Sequence, residues 1–260
     1  MNKTVAIVRE VSDALAECEL SFVDRQPIDL DRARKQHAAY IAALEAVGCE
    51  IRVAPSLPGM ADAVFVEDTA VVVDELAVLA RPGAESRRGE VASMADTLRA
   101  WRPLAWIEAP GTLDGGDVLR IGRKVYVGRS ARSNDSGLEQ LRALLAPHGY
   151  SVEGVRTRGC LHLKSAVTAV ADGTVLVNPH WLVDDPFAGY RRIEIDPAER
   201  HAANALRVGD VVLYPDAFPR TAARLRAASV DLRLLDLSEL QKAEGATTCC
   251  SVLLAIPGAA

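Results

Sequence analysis

The 260-residue sequence predicts an α/β ring of about five ββαβ units. Three observations carry the prediction. A hairpin, helix, strand order recurs along the chain, its hairpins start near Asp68, Asp117 and Ser165, about 50 residues apart, and the two chain ends complete one unit between them. An open solenoid would need polar end caps. No Pro/Gly/Ser-rich linker or low-complexity stretch divides the chain, so one domain over 1–260 is expected. An α/β sandwich with irregular strand order is the alternative that periodicity leaves open.

The elements follow in order. Residues 31–47 place Ala33, His37, Tyr40, Ile41, Leu44 and Val47 at helical spacing, with Gly48 as the cap. CEIRVAP, ending in Pro55, reads as the strand returning from that helix. EDTAVVVDELAVLARP divides into a hairpin around Asp74-Glu75, followed by a helix capped by Ser86 and a strand at WIEAP. The hairpin GGDVLRIGRKVYVGR, a helix from about Asn134 to Pro147 and the strand YSVEGVR repeat the order. KSAVTAVADGTVLVN is a further hairpin, turning at Asp172-Gly173. A blurred copy runs through DVVLYPD, the helix RTAARLRAA and the strand VDLRLLDL, and CCSVLLAIP is expected to pair with KTVAIVRE.

Composition narrows the function classes. With 49% apolar and 25% charged residues and a net charge of −5, no basic stripe marks a nucleic-acid surface. The start, MNKTVAIVRE, is far short of a signal-peptide core, and no run approaches a membrane span, so a cytoplasmic location is expected. Five widely spaced cysteines argue against a disulfide framework. None of the usual CxxC or HxxxH zinc spacings occurs among them and the five histidines.

Each hairpin begins with polar residues that a plain strand would avoid: Glu67-Asp68, Asp114-Gly-Gly-Asp117, His162-Leu-Lys164-Ser165 and Thr248-Cys249. Taken singly, each has an ordinary explanation. Gly115-Gly116 makes a turn, His162 fits a core niche, Glu67-Asp68 a bulge, and Cys249 a buried filler. All four, however, fall in phase with the repeat, and equivalent positions of a ring converge near its axis.

Together these residues suit nucleophilic attack on an electron-poor planar carbon. A cysteine attacks as thiolate, and a histidine protonates a leaving group and then deprotonates water, its tautomer held by a carboxylate such as Asp114. Asp68 is left over. Beside a thiolate, a spare carboxylate suits only a substrate that brings its own cation, and a guanidinium is planar, cationic and matched to carboxylates. Bound guanidinium would also favour the thiolate. Arg87 and Arg132 are candidates to grip a carboxylate at the substrate's other end.

RARKQHAAY, FVEDTAVV, RPGAESRRGEV, TLDGGDVLRIGRKVYVG, LHLKS and TTCCSVL, in this order, resemble the blocks of the dimethylarginine dimethylaminohydrolases. These are guanidine-modifying enzymes of the pentein fold, a five-bladed α/β propeller. The resemblance implies Cys249 as nucleophile, His162 as general acid/base and Asp114 as the residue orienting it. It also implies Asp68, Glu67 and Asp62 as the guanidine-binding set, and Arg87 and Arg132 at the amino-acid end. Leu20 lies in a stretch, roughly 12–30, similar to the family's lid, and Ala243 matches a main-chain contact. The implied substrate is a small-molecule methylated arginine and the implied product citrulline, with no cofactor and no catalytic metal. Zinc is implied only as an inhibitory ligand of the thiol and imidazole. Oligomeric state is left open, with a homodimer admitted. Deimination of free arginine or agmatine, or a non-catalytic arginine or zinc binder, are the competing readings.

Overall fold

In the computed structural model, which describes residues 3–256, the repeat is a five-bladed α/β propeller, each blade a three-stranded sheet. The first blade joins β1 (Lys3–Val8), the helix α1 (Leu30–Ala46) and β2 (Cys49–Val53). The second contains β3 (Ala70–Val72), β4 (Ala77–Leu79), α2 (Glu90–Leu98) and β5 (Leu104–Trp106). The third contains β6 (Val118–Ile121), β7 (Lys124–Arg129), α3 (Asp135–Leu145) and β8 (Ser151–Arg156). After the one-turn helix α4 (Leu163–Ala166), the fourth blade has β9 (Val167–Ala171), β10 (Thr174–Val177) and β11 (Arg191–Glu194). The fifth has β12 (Leu206–Val208), β13 (Val211–Pro215), α5 (Pro219–Ala227) and β14 (Asp231–Leu235), and α6 (Ser238–Lys242) then leads to β15 (Val252–Ile256).

Every blade uses one rule. Its first two strands are antiparallel, and its second and third are parallel, which requires a crossover. β15 pairs antiparallel with β1 in the register Ile7↔Val252, so residues from both chain ends close the ring as expected. The middle strand of each blade is covered on both faces. From β1, Ala6 and Val8 pack with Tyr40 and Leu44, while Val5 and Ile7 pack with Leu79 and Met94. Burial on both faces explains why KTVAIV reads as a continuous apolar run instead of an alternating one.

The structure departs from the sequence reading in four places. Ser86 does not cap α2: it lies in a separate 3-10 turn, Glu85–Arg87, and donates its hydroxyl to Glu19. The strand expected at WIEAP lies earlier, at Leu104–Trp106, where pairing with β4 sets it. In the fourth blade a 3-10 turn, Pro179–Trp181, and an irregular stretch replace the helix before β11. The cysteine pair lies in a turn before β15 and not on the strand itself.

That last departure belongs to a pattern that places the site. In four blades a single tight turn precedes the first strand, closed by Asp68 N–H to Phe65 O, Asp117 N–H to Asp114 O, Ser165 N–H to His162 O and Cys249 N–H to Ala246 O. A strand would send alternate side chains to opposite faces, whereas a turn gathers neighbouring side chains on the axis. Asp68, Asp114, Asp117 and His162 are all buried there.

Candidate active site

The centre of the site is His162. Its Nε2 lies 3.1 Å from Asp114 Oδ2, and its Nδ1 lies 3.9 Å from Asp68 Oδ1. Asp114 is held in turn by Gly83 N–H on its Oδ1 at 2.9 Å, and its own N–H donates to Ser133. With Nε2 occupied by Asp114, Nδ1 is the nitrogen that faces the Asp68 side. Gly116 makes this approach feasible, since a Cβ there would sit 2.5 Å from Nδ1 and 2.8 Å from Asp68 Oδ1. Gly115 is equally confined, because its Cβ would run into the carbonyl of Glu67. DGGD is thus both a turn and a close approach between blades.

Asp68 accepts from Gly116 N–H at 2.9 Å and from Arg87 Nη1 at 2.5 Å. Burial works against its charge, but the His162 and Arg87 cations outweigh it and hold the carboxyl at about 2. Burial likewise disfavours the His162 cation, yet Asp68, Asp114 and Asp117 raise it to about 9. The imidazole is therefore charged at neutral pH. This has a consequence for stability. Below about 6.5 the ring is protonated folded or unfolded and the ion cluster contributes in full, and that contribution is lost as pH rises through about 9. Stability should fall by about 3 kcal/mol across this window. Unfolding measured from pH 6 to 9.5 checks it: the fall should be absent in His162→Asn, and an equal fall in that variant would refute it.

Cys249 is half-buried, and its carbonyl accepts from Glu67 N–H at 3.1 Å. Burial, then the carboxylates of Glu67 and Asp68, push its thiol well above the ordinary range. In the ligand-free site the sulfur is thus a protonated thiol. Cys250, by contrast, is fully buried in the core with Tyr40, Phe65 and Leu240.

The remaining candidates fall into two groups. Glu67 is buried beside the cysteine, with Oε1 on Lys164 Nζ at 2.5 Å and Oε2 on the Thr248 hydroxyl at 2.7 Å. Asp62 is buried and accepts from Glu19 N–H at 3.1 Å, and burial pushes it up to about 6 despite Arg87. Towards solvent, the segment 12–30 crosses the site. Ser21 N–H and Phe22 N–H both donate to the Glu244 carboxylate, at 2.8 and 2.5 Å, and Arg132 Nη2 reaches Ser21 Oγ at 3.4 Å. Half-buried Leu20 lies within this strap, and buried Ala243, at the end of α6, adjoins Glu244.

The two arginines grouped by sequence sit in different situations. Arg87 is buried, with Nε and Nη2 on Glu90 at 3.0 and 2.8 Å, Nη1 on Asp68, and Nη2 also on the Phe65 and Asp62 carbonyls. Of its five N–H groups, one on Nη1 is left. Its partner Glu90 escaped the sequence reading because it looks like an ordinary first-turn helix residue. Asp117 faces inward too, but it accepts from the Ser130 and Ser133 hydroxyls and from Leu163 N–H, so it braces the turn that carries His162.

As to metals, one group of His, Cys or carboxylate ligands gathers among the described residues: Asp68, Asp114 and His162, their ligand atoms within 4.8 Å of one another. No helix among these residues is long and apolar enough to cross a membrane.

The family model for eukaryotic N,N dimethylarginine dimethylhydrolase matches residues 21–186. The chain is 42% identical over 250 residues to the N(G),N(G)-dimethylarginine dimethylaminohydrolase of Streptomyces coelicolor, covering 96% of both chains. To the enzyme of that name from Pseudomonas aeruginosa it is 35% identical, covering 86% of this chain and 89% of the relative. A solved structure of the Pseudomonas aeruginosa enzyme, a cysteine-to-serine mutant complexed with citrulline, matches with a TM-score of 0.93 at 33% identity, over 98% of this chain and 100% of the other. Identity at this level along nearly the whole length, with the same blades in the same order, is common descent: the chain belongs to the dimethylarginine dimethylaminohydrolase family.

Proposed function

We propose that the chain, acting as one cytoplasmic catalytic domain, hydrolyses Nω-methylated arginine to citrulline and methylamine or dimethylamine. The observation that carries this reading is the charge of the centre: the buried carboxylates of Glu67 and Asp68 beside the Cys249 thiol, a setting that suppresses the nucleophile until a cation arrives. The substrate guanidinium is that cation. Held against Asp68, with Glu67 and Asp62 shaping the acidic wall, it lowers the cost of the Cys249 thiolate, whose proton goes to solvent.

Thiolate attack on the guanidinium carbon forms the C–S bond and a neutral tetrahedral adduct. His162 then protonates the methylated nitrogen through Nδ1, the C–N bond breaks, and the amine leaves a cationic thiouronium on Cys249. Neutral His162 next takes a proton from water as its oxygen bonds to the same carbon. Collapse expels the thiolate, and loss of a proton from the urea gives citrulline. Asp114 keeps Nε2 protonated throughout, so that Nδ1 is free to exchange the proton. At the other end, Arg132 and the remaining N–H of Arg87 take the α-carboxylate, beneath the strap that carries Leu20 and beside the main chain at Ala243. The chemistry calls on no cofactor. A divalent cation such as zinc, taken by His162 with the neighbouring thiol or carboxylates, would occupy the guanidinium's place and inhibit.

Parallel rates on dimethylarginine, monomethylarginine, arginine and agmatine test the reading. The methylated arginines should lead in kcat/KM by at least about tenfold, a difference of 1.4 kcal/mol in the barrier. A preference for arginine or agmatine would overturn it.

A further inference from the structure

We propose that Asn204 is a positioning residue that locks the segment carrying the nucleophile to the segment carrying the base, an inference that rests on the roles given above to Cys249 and His162. Four blades place titratable or nucleophilic residues in the turn before the hairpin, whereas the fifth, whose hairpin is β12 and β13, carries an amide there. At that hairpin's entrance stands Asn204, two residues before β12 as Asp68 is two before β3. Its side chain is buried, with both N–H groups and the oxygen engaged. Nδ2 donates to Lys164 O at 3.1 Å and to Thr248 Oγ1 at 3.0 Å, while Oδ1 accepts from Thr248 N–H at 3.0 Å.

The partners fix the amide's orientation. Lys164 O can only accept and Thr248 N–H can only donate, so the nitrogen must face the first and the oxygen the second. Lys164 is two residues from His162, and Thr248 immediately precedes Cys249. One amide therefore spans the two turns whose relative placement sets the distance between sulfur and imidazole. Thr248 passes the constraint on by donating to Glu67, whose own N–H holds the Cys249 carbonyl. Asn204 is itself clamped from behind, since the Thr168 hydroxyl donates to Ala203 O at 2.7 Å and accepts from Ala205 N–H at 3.1 Å. The hydrogen bonds of Asn204 itself all go to protein groups, so the expected effect lies in the chemical step.

Asn204→Ala should lower kcat on dimethylarginine by about 100-fold, the cost of misplacing reacting groups by about 1 Å, while KM changes by less than about threefold. Thr248→Val, which keeps the shape but not the hydroxyl, should fall in the same direction, and Thr248→Ser should restore turnover. Asn204→Asp supplies a readout that general destabilisation would not move. Ionised, its carboxylate opposes the Lys164 carbonyl, but protonated it can donate there as the amide does, so its kcat relative to wild type should rise as pH falls. If Asn204→Ala does not fold, Thr248→Val and the pH ratio of Asn204→Asp decide. Near-wild-type kcat in the Ala and Val variants, losses confined to KM, or a pH-independent ratio for Asn204→Asp would overturn the proposal. Activity surviving in Cys249→Ser would instead overturn the reading on which it rests.

Discussion

Cys249→Ser should abolish citrulline formation, lowering kcat by at least about 10⁴-fold, while Cys250→Ser leaves kcat/KM nearly unchanged. The two thiols are adjacent in sequence but differ in surroundings. Cys249 is half-buried, its carbonyl tied to Glu67 and its thiol under the field of Glu67 and Asp68, whereas Cys250 is wholly buried with its Sγ 3.9 Å from Ala246 O. Serine at 249 keeps the shape but is far less acidic than a thiol, so a bound guanidinium does not suffice to make it a nucleophile. Serine at 250 exchanges a small apolar atom group for a buried hydroxyl, and the expected cost is about 1–2 kcal/mol of stability. Citrulline release and thermal unfolding on both variants check this. Activity lost in the second but kept in the first would exchange their roles.

Asp68→Asn is expected to produce two effects of opposite sign. Turnover on dimethylarginine should fall by about 100-fold in kcat/KM, corresponding to about 3 kcal/mol for the lost charged contact. In the same variant the free thiol should react faster with iodoacetamide at pH 7–8, because the Asp68 charge is one cause of the raised Cys249 pKa. A carboxylate that merely supported the fold would give this pattern only through unfolding, which exposes the thiol. The variant also unpairs buried Arg87, so unfolding must be measured alongside to confirm that the folded fraction is unchanged. In wild type, the substrate's cation should itself accelerate thiolate formation. A slower alkylation in Asp68→Asn would refute the account of a suppressed nucleophile.

The sequence made much of this site legible because the repeat supplied the geometry. The segments that hold Asp68, Asp114, His162 and Cys249 were distinguishable from ordinary polar stretches by their phase, and the ring brings their turns to one axis. Residue chemistry did the rest, since a thiol, an imidazole and a surplus carboxylate are compatible with few reactions. The turns themselves were not legible. GATTCCSVLLA reads as a strand because the apolar run after Cys250 dominates the pattern, and helical turns of three or four residues leave almost no periodic signature.

By itself, then, the sequence determined the five-unit ring, its closure by β1 and β15, the class of chemistry and the residues proposed to carry it, because hydrophobic period and residue type are local properties. Tertiary structure alone decided how those residues are poised. Arg87 is committed to Asp68 and Glu90, Glu67 to Lys164 and Thr248, and the strap at Ser21 and Phe22 to Glu244. Asn204 joins two turns 84 positions apart at Lys164 and Thr248. Apart from those of Arg87, these pairings couple residues far apart in the chain, and their energies come from burial and neighbouring charges that act only once the ring has closed.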